Sequence, residues 1–201
     1  MAGKIIIDIF KEKKADDFTA ALAAPDSKAA AGSAAAYTAA MGNALLLRAA
    51  RNCAAKTEGN ERLDYIVRNC EILRGYMVHL IDEVVKSKGP INRAKKEGGP
   101  REIEASIQTA TCIEAEIVNM TKPSLEFALE LCESAAEEDR ALLAEAAEFV
   151  MSACRVSQHV IAAISSLSSD ETYRYVTRRE NEVFLSEREE LYNKILEKTH
   201  Q

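Results

Sequence analysis

Glu114 is the acidic side chain best suited to proton chemistry, because it interrupts an apolar stripe of helical spacing. The stripe consists of Ile103, Ile107, Ala110, Ile117 and Leu125. A carboxyl group that faces a protein core has a raised pKa, as a general acid or base requires. Alternatively, Glu114 reaches solvent or pairs with an arginine such as Arg48 or Arg51, and this structural role is the commoner one.

A turn of small residues leads into a long alanine-rich helix. Ala29–Ala31 precede Gly32 and Ser33, whose backbone amides could bind an anion at the start of the helix. Gly32 and Ser33 are therefore candidate substrate-binding residues. Ordinary packing is the commoner alternative, because alanine resists the left-handed geometry of ligand-binding loops. Asp26 or Ser27 is suited to cap the helix, which predicts that it begins near residue 28.

Two histidines lie at helical spacing from other charged side chains. His79 lies three residues before Asp82 and four before Glu83, on the face opposite an apolar stripe. A solvated or subunit-facing surface is the commoner interpretation of this face, and a catalytic role for Asp82 is the alternative. His159 pairs with Arg155 at the margin of another stripe and is a second catalytic candidate.

Residues 86–101 form a locally basic segment in a chain whose net charge is −6. Its candidate substrate-binding side chains are Arg93, Lys95 and Lys96. A solvated loop between helices would have the same composition, since exposed lysines are common at protein surfaces. Both interpretations therefore stay open.

The composition predicts a single all-α domain over residues 1–201. Apolar residues make up 47% of the chain, and the 8 glycines, 4 prolines and absence of tryptophan accompany long runs of helix-forming residues. The acidic balance, without a long Lys/Arg block, argues against nucleic acid as a partner. The sequence also predicts no metal, because only three histidines are present and the five cysteines form no CxxC pair.

The cellular location is predicted to be the cytoplasm, with no membrane association. An odd number of widely spaced cysteines suits buried thiols in a reducing compartment. The run Ile5–Ile7 is too short for the apolar core of a signal peptide. Residues 29–47 are uncharged but mainly alanine, which favours a buried central helix over a membrane span.

The periodicity predicts a bundle of about six helices, several of them long, in an up-and-down arrangement. The expected ranges are 14–24, 28–56, 60–88, 101–136, 139–168 and 180–198. Pro123 should kink the fourth helix without ending it. The large apolar surface of these helices predicts a homodimer.

The short helix, the small-residue turn ending in Gly32-Ser33-Ala34 and the long alanine-rich helix together resemble the cyclodeaminase/cyclohydrolase family of folate enzymes. Ala110-Thr111 is similar to the Ala-Thr segment of that family. The resemblance extends over about residues 14–195 and implies a homodimeric all-α protein. It also aligns Glu114 with a family proline and His159 with a family asparagine.

The resemblance implies a tetrahydrofolate derivative as substrate, and methenyltetrahydrofolate cyclohydrolase or formiminotetrahydrofolate cyclodeaminase activity. The basic segment would then receive the glutamate tail. However, the aspartate of the usual Asp-Ala-x-x-Phe motif aligns with Val84, and its phenylalanine aligns with Lys88. Whether the chain is an enzyme is therefore left open. The alternative is a catalytically silent relative that binds folate or another anion, or serves as a helical assembly partner.

Overall fold

The computed structural model describes residues 9–25, 27, 29–57 and 59–199, which form an all-α bundle. The long helices pack side by side, as the sequence predicts. A short 3-10 helix, Phe10–Glu12, precedes seven α-helices in the described part of the chain. These are α1 (Ala15–Ala23), α2 (Ala31–Lys56), α3 (Glu61–Lys86), α4 (Lys88–Glu97), α5 (Pro100–Leu131), α6 (Glu137–Ser165) and α7 (Glu171–Thr199).

Helix α2 lies at the centre of the bundle because its small side chains let neighbouring helices approach closely. It packs against α3, α5 and α6. At Gly42, an added Cβ would lie 2.9 Å from Val150 Cγ2 and 3.0 Å from the Ala146 carbonyl oxygen on α6. This close approach confirms the predicted central position of α2.

Helix α5 carries Glu114 into the core. Ile107, Ala110, Ile117 and Leu125 of its predicted stripe are all fully buried. The helix continues through Pro123 to Leu131, as expected for a proline that does not stop a helix. The stripe therefore fixes the direction in which Glu114 points.

The starts of two helices differ most clearly from the predictions. Helix α2 begins at Ala31 rather than near residue 28, because Ala30 is extended and serves as its N-cap. Helix α7 begins at Glu171 rather than near residue 180, and the Asp170 carboxylate accepts a hydrogen bond from the Tyr173 amide in its first turn. The proposed Asp26 cap lies outside the described residues.

The basic segment contains a helix, α4. A solvated loop was one of the two interpretations that the sequence allowed for this segment. Ile91 and Ala94 are buried on one side of this helix. Pro90 is tolerated because it lies in the first turn, where the missing amide would have no intrahelical acceptor. The segment is consequently packed against α5 and α3.

None of the helices in the described ranges combines the length and the hydropathy needed to cross a bilayer.

Candidate functional site

The Glu114 carboxyl group lies against the first turn of α2. Glu114 is only 1% exposed. A Cβ added at Gly32 would come within 2.8 Å of both the Cδ and the Oε1 atom of Glu114, and closer still to Oε2. Glycine at position 32 therefore provides the space that the carboxyl group occupies.

No residue in the described part of the chain forms a hydrogen bond with either Glu114 carboxylate oxygen. Burial raises the pKa of the Glu114 carboxyl to about 7, and the nearby Ser157 hydroxyl and the Lys88 charge counter this rise. The Ser157 hydroxyl is itself buried and lacks a partner of regular hydrogen-bond geometry among the described residues. The alternative of a Glu114 ion pair is wrong, because Arg51 pairs with Glu71 and Arg48 is exposed.

Two neighbouring clefts lie beside this turn of α2. The first, which we call the α6 cleft, has a volume of about 440 Å³ and is lined by residues that include Ala31, Lys88, His159, Val160, Ile164 and Leu167. The second, which we call the α4 cleft, has a volume of about 410 Å³ and is lined by residues that include Ser27, Ala29, Ala30, Lys88, Gly89 and Asn92. The α6 cleft is almost entirely apolar, whereas the lining of the α4 cleft has a larger polar share.

The first turn of α2 forms the boundary between Glu114 and the clefts. The first backbone hydrogen bond of α2 is donated by the Ala34 amide to the Ala30 carbonyl, at 3.2 Å. The preceding amides of the turn have no intrahelical acceptor, as at any helix N-terminus. The Ser33 hydroxyl does not face a ligand, since it donates a hydrogen bond of 2.7 Å to the Ile81 carbonyl.

The structure brings together Glu114, Gly32 and His159 from the predicted set, and it adds Lys88. Lys88 is half-buried and lines both clefts. Sequence reasoning missed this residue because it treated Lys88 as one member of the basic segment and gave it no role of its own. No pattern within a single helix marks it, because its place at the clefts depends on where the first turn of α4 lies.

Asp82 is not brought to the clefts. Its carboxylate is buried and accepts hydrogen bonds from the Phe10 amide at 2.6 Å and the Lys11 amide at 3.3 Å. The prediction of a solvated or subunit-facing Asp82 is wrong, because the 3-10 helix covers this face of α3. His79 on the same face is exposed.

The three basic candidates of α4 also lie outside the two clefts. Lys95 and Lys96 are exposed in its last turn. Arg93 lines a separate cleft of about 320 Å³ between α4 and α5. The described residues include no group of three His, Cys, Asp or Glu side chains placed to hold a metal ion.

Folding stability should report the ionisation of Glu114. In the pH range from about 4.5 to 7 the unfolded chain ionises Glu114 while the folded chain keeps it protonated, so the folded state binds more protons. Raising the pH across this window should therefore remove about 2–3 kcal/mol of stability in the wild-type chain. Urea unfolding at pH 5 and pH 8 measures this loss.

Glu114→Gln supplies the matched control for this measurement, because glutamine does not titrate. The variant should lack the part of the pH dependence that Glu114 contributes, while other titrating groups act equally in both chains. An equal loss of stability in the two chains would show that Glu114 ionises normally when folded.

The comparisons with known proteins agree with this fold. The sequence profile of the family described as Formiminotransferase-cyclodeaminase matches residues 14–168. No curated protein sequence matches the chain. The crystal structure of formiminotetrahydrofolate cyclodeaminase from Thermotoga maritima is similar, with a TM-score of 0.85 at 18% identity, over 94% of this chain and 97% of that one. At that identity the structural likeness shows the fold, whereas the profile match shows the family. The chain belongs to the formiminotransferase-cyclodeaminase family.

Proposed function

We propose that the chain acts on a one-carbon derivative of tetrahydrofolate bound in the α6 and α4 clefts. The reaction is either the hydrolysis of 5,10-methenyltetrahydrofolate or the cyclisation of 5-formiminotetrahydrofolate with loss of ammonia. Family membership and the activity named for the solved Thermotoga maritima structure support this substrate class. The observation that carries the proposal is the buried Glu114 carboxyl group beside the clefts.

Both reactions need a proton delivered to a nitrogen atom, and Glu114 is suited to this step. A carboxyl group with a pKa of about 7 is populated in both its acid and its base form at neutral pH. General acids and bases work best when their pKa lies near the operating pH. Burial therefore keeps a large fraction of Glu114 in its uncharged acid form at neutral pH, from which it can donate a proton.

The other candidate residues have complementary roles in this proposal. His159 lines the α6 cleft and accepts a proton from the attacking group. The backbone amides of Gly32 and Ser33 contact an oxygen atom of the substrate at the start of α2. The exposed side chains of Arg93, Lys95 and Lys96 contact the glutamate tail where it leaves the clefts.

Catalysis requires a local opening at Gly32. The Glu114 oxygens have no surface exposed to the clefts, so the first turn of α2 has to move before a proton can pass. The burial of the Glu114 oxygens behind this turn favours a second candidate function, that of a silent relative that binds folate without turnover. The buried Val84, which replaces the family aspartate and carries no proton, also favours it.

Titration of the purified chain with 5,10-methenyltetrahydrofolate tests the proposal. Binding and the loss of methenyl absorbance are followed together against a buffer control, and release of ammonia from 5-formiminotetrahydrofolate is measured in parallel. Faster loss of either substrate supports an enzyme. Binding without turnover supports the silent relative, and absence of binding contradicts both.

The homodimer stays a prediction. Tyr37 and Met41 lie one turn apart on α2, and both are partly exposed, as is Phe149 on the adjoining face of α6. We expect a second copy of the chain to cover these side chains.

A further inference from the structure

Lys88 lies at the junction of the α6 and α4 clefts. It lines both of them, with Ala31 and His159 on one side and Gly89 and Asn92 on the other. A ligand that fills both clefts therefore has to pass the Lys88 ammonium group. In a folate bound this way, the middle of the molecule, where the one-carbon unit is carried, lies nearest to Lys88.

Lys88 forms no ion pair of 4 Å or less with any residue of the described ranges, although it is half-buried. Its charge is felt at the Glu114 carboxyl group, where it favours the ionised form. The junction thus combines a cation and a neighbouring buried acid.

We propose that Lys88 contacts the reacting one-carbon unit and makes hydrolysis, rather than loss of ammonia, the favoured reaction. This inference rests on the proposed function, because it concerns the same clefts and the same substrate class. It assigns a catalytic role to a residue that aligns with phenylalanine in the family.

Hydrolysis removes a positive charge from the one-carbon unit. The oxygen of a water molecule bonds to the carbon of the cationic methenyl bridge, and one water proton passes to His159. The bond from this carbon to N5 then breaks as Glu114 gives its proton to N5, and the remaining hydroxyl proton passes to the Glu114 carboxylate, which leaves a neutral 10-formyl group and one proton on His159. A neighbouring ammonium group destabilises the cationic substrate and stabilises the oxygen that gains negative character.

Loss of ammonia keeps the positive charge on the one-carbon unit. N10 bonds to the carbon of the protonated formimino group, the N10 proton passes to the departing nitrogen, and ammonia leaves a cationic methenyl bridge. Because a cation is present before and after this reaction, the Lys88 ammonium group gains no favourable interaction with it. The sign of the charge at position 88 therefore separates the two reactions.

Ligand affinities test the position of Lys88 without any turnover. Lys88→Met should weaken binding of 5-formyltetrahydrofolate, whose one-carbon unit is neutral, about tenfold, because the formyl oxygen loses a charged hydrogen-bond donor. The same variant should tighten binding of 5,10-methenyltetrahydrofolate about threefold or more, because a charge like that of the cationic methenyl bridge is removed. Rapid-mixing fluorescence measures both affinities before spontaneous hydrolysis of the methenyl ligand.

Two further variants control for net charge and for side-chain volume. Lys194→Met makes the same change of charge on the exposed face of α7 and should alter neither affinity. Lys88→Arg keeps the charge and should keep the wild-type order of the two affinities. If Lys88→Met shifts both ligands in the same direction, or shifts neither, the assignment of Lys88 is overturned.

Kinetics test the choice of reaction. Lys88→Met should lower kcat for hydrolysis about 10²–10³-fold, the loss typical of removing one oxyanion donor. It should change kcat for ammonia release less than about threefold. Equal losses of kcat in the two reactions would overturn the proposal that Lys88 favours hydrolysis. If the chain binds both ligands and turns over neither, the enzyme proposal fails while the affinities still decide where Lys88 lies. Binding of neither ligand contradicts both proposals.

Discussion

Replacement of Glu114 by glutamine should lower turnover of 5,10-methenyltetrahydrofolate by about 10²–10⁴-fold, the usual contribution of a general acid or base. Glutamine has nearly the same shape as glutamic acid, but its amide group cannot act as a proton donor or acceptor in catalysis at neutral pH. The side chain is buried against Gly32, so the variant should keep the local packing. Steady-state absorbance measurements give the change in kcat.

Binding separates the loss of a proton carrier from the loss of the site. Glu114→Gln should bind 5-formyltetrahydrofolate within about threefold of wild type, because the interaction lost is specific to the reaction rather than to ligand binding. Glu126→Gln, an exposed change on the same helix, should retain full turnover. Wild-type turnover in Glu114→Gln would exclude Glu114 from the chemistry.

Gly32→Ala should both destabilise the fold and remove activity. The new Cβ would overlap the Glu114 carboxyl group, which has no exposed side toward which it can move freely. Overpacking of this kind typically costs about 1–3 kcal/mol. For a chain of this length we expect a fall in Tm of about 2–4 °C per kcal/mol, with turnover lowered about 10²-fold or more because the acid is displaced.

Two variants identify the cause of that loss. Gly75→Ala on α3 meets no atom within 4 Å, and it should raise stability by about 0.5–1 kcal/mol because alanine favours the helix interior. The double variant Gly32→Ala/Glu114→Ala removes the overlap and should recover much of the lost stability without recovering turnover. An unchanged Tm in Gly32→Ala would contradict the close contact of Gly32 with Glu114.

The part of the site that follows from helical periodicity was predictable from sequence. The apolar stripe of α5 put Glu114 in the core, because residues three and four apart share a helix face. The same reasoning gave the small-residue surface of α2 and the all-α bundle. These features follow from the spacing of residues within a single helix and do not require knowledge of contacts with distant segments.

The parts that depend on contacts between distant segments were not predictable. Asp82 is polar and lies off the α3 stripe, but the backbone amides of Phe10 and Lys11, more than seventy residues away, bury it. Lys88 became a cleft residue only because α4 turns back beside the start of α2. Single-helix patterns carry no information on such approaches, so the sequence did not single out Lys88 from the other basic residues of its segment.

The pH dependence of kcat/KM tests most directly whether the acid form of Glu114 does the chemistry. This parameter reports ionisations of the free enzyme, in which the Glu114 pKa is about 7. If protonated Glu114 donates to the substrate nitrogen, kcat/KM for the methenyl substrate, corrected for the buffer reaction, should fall about tenfold per pH unit above this pKa. A value that stays constant or rises from pH 6 to 9 would contradict Glu114 as the acid of this site.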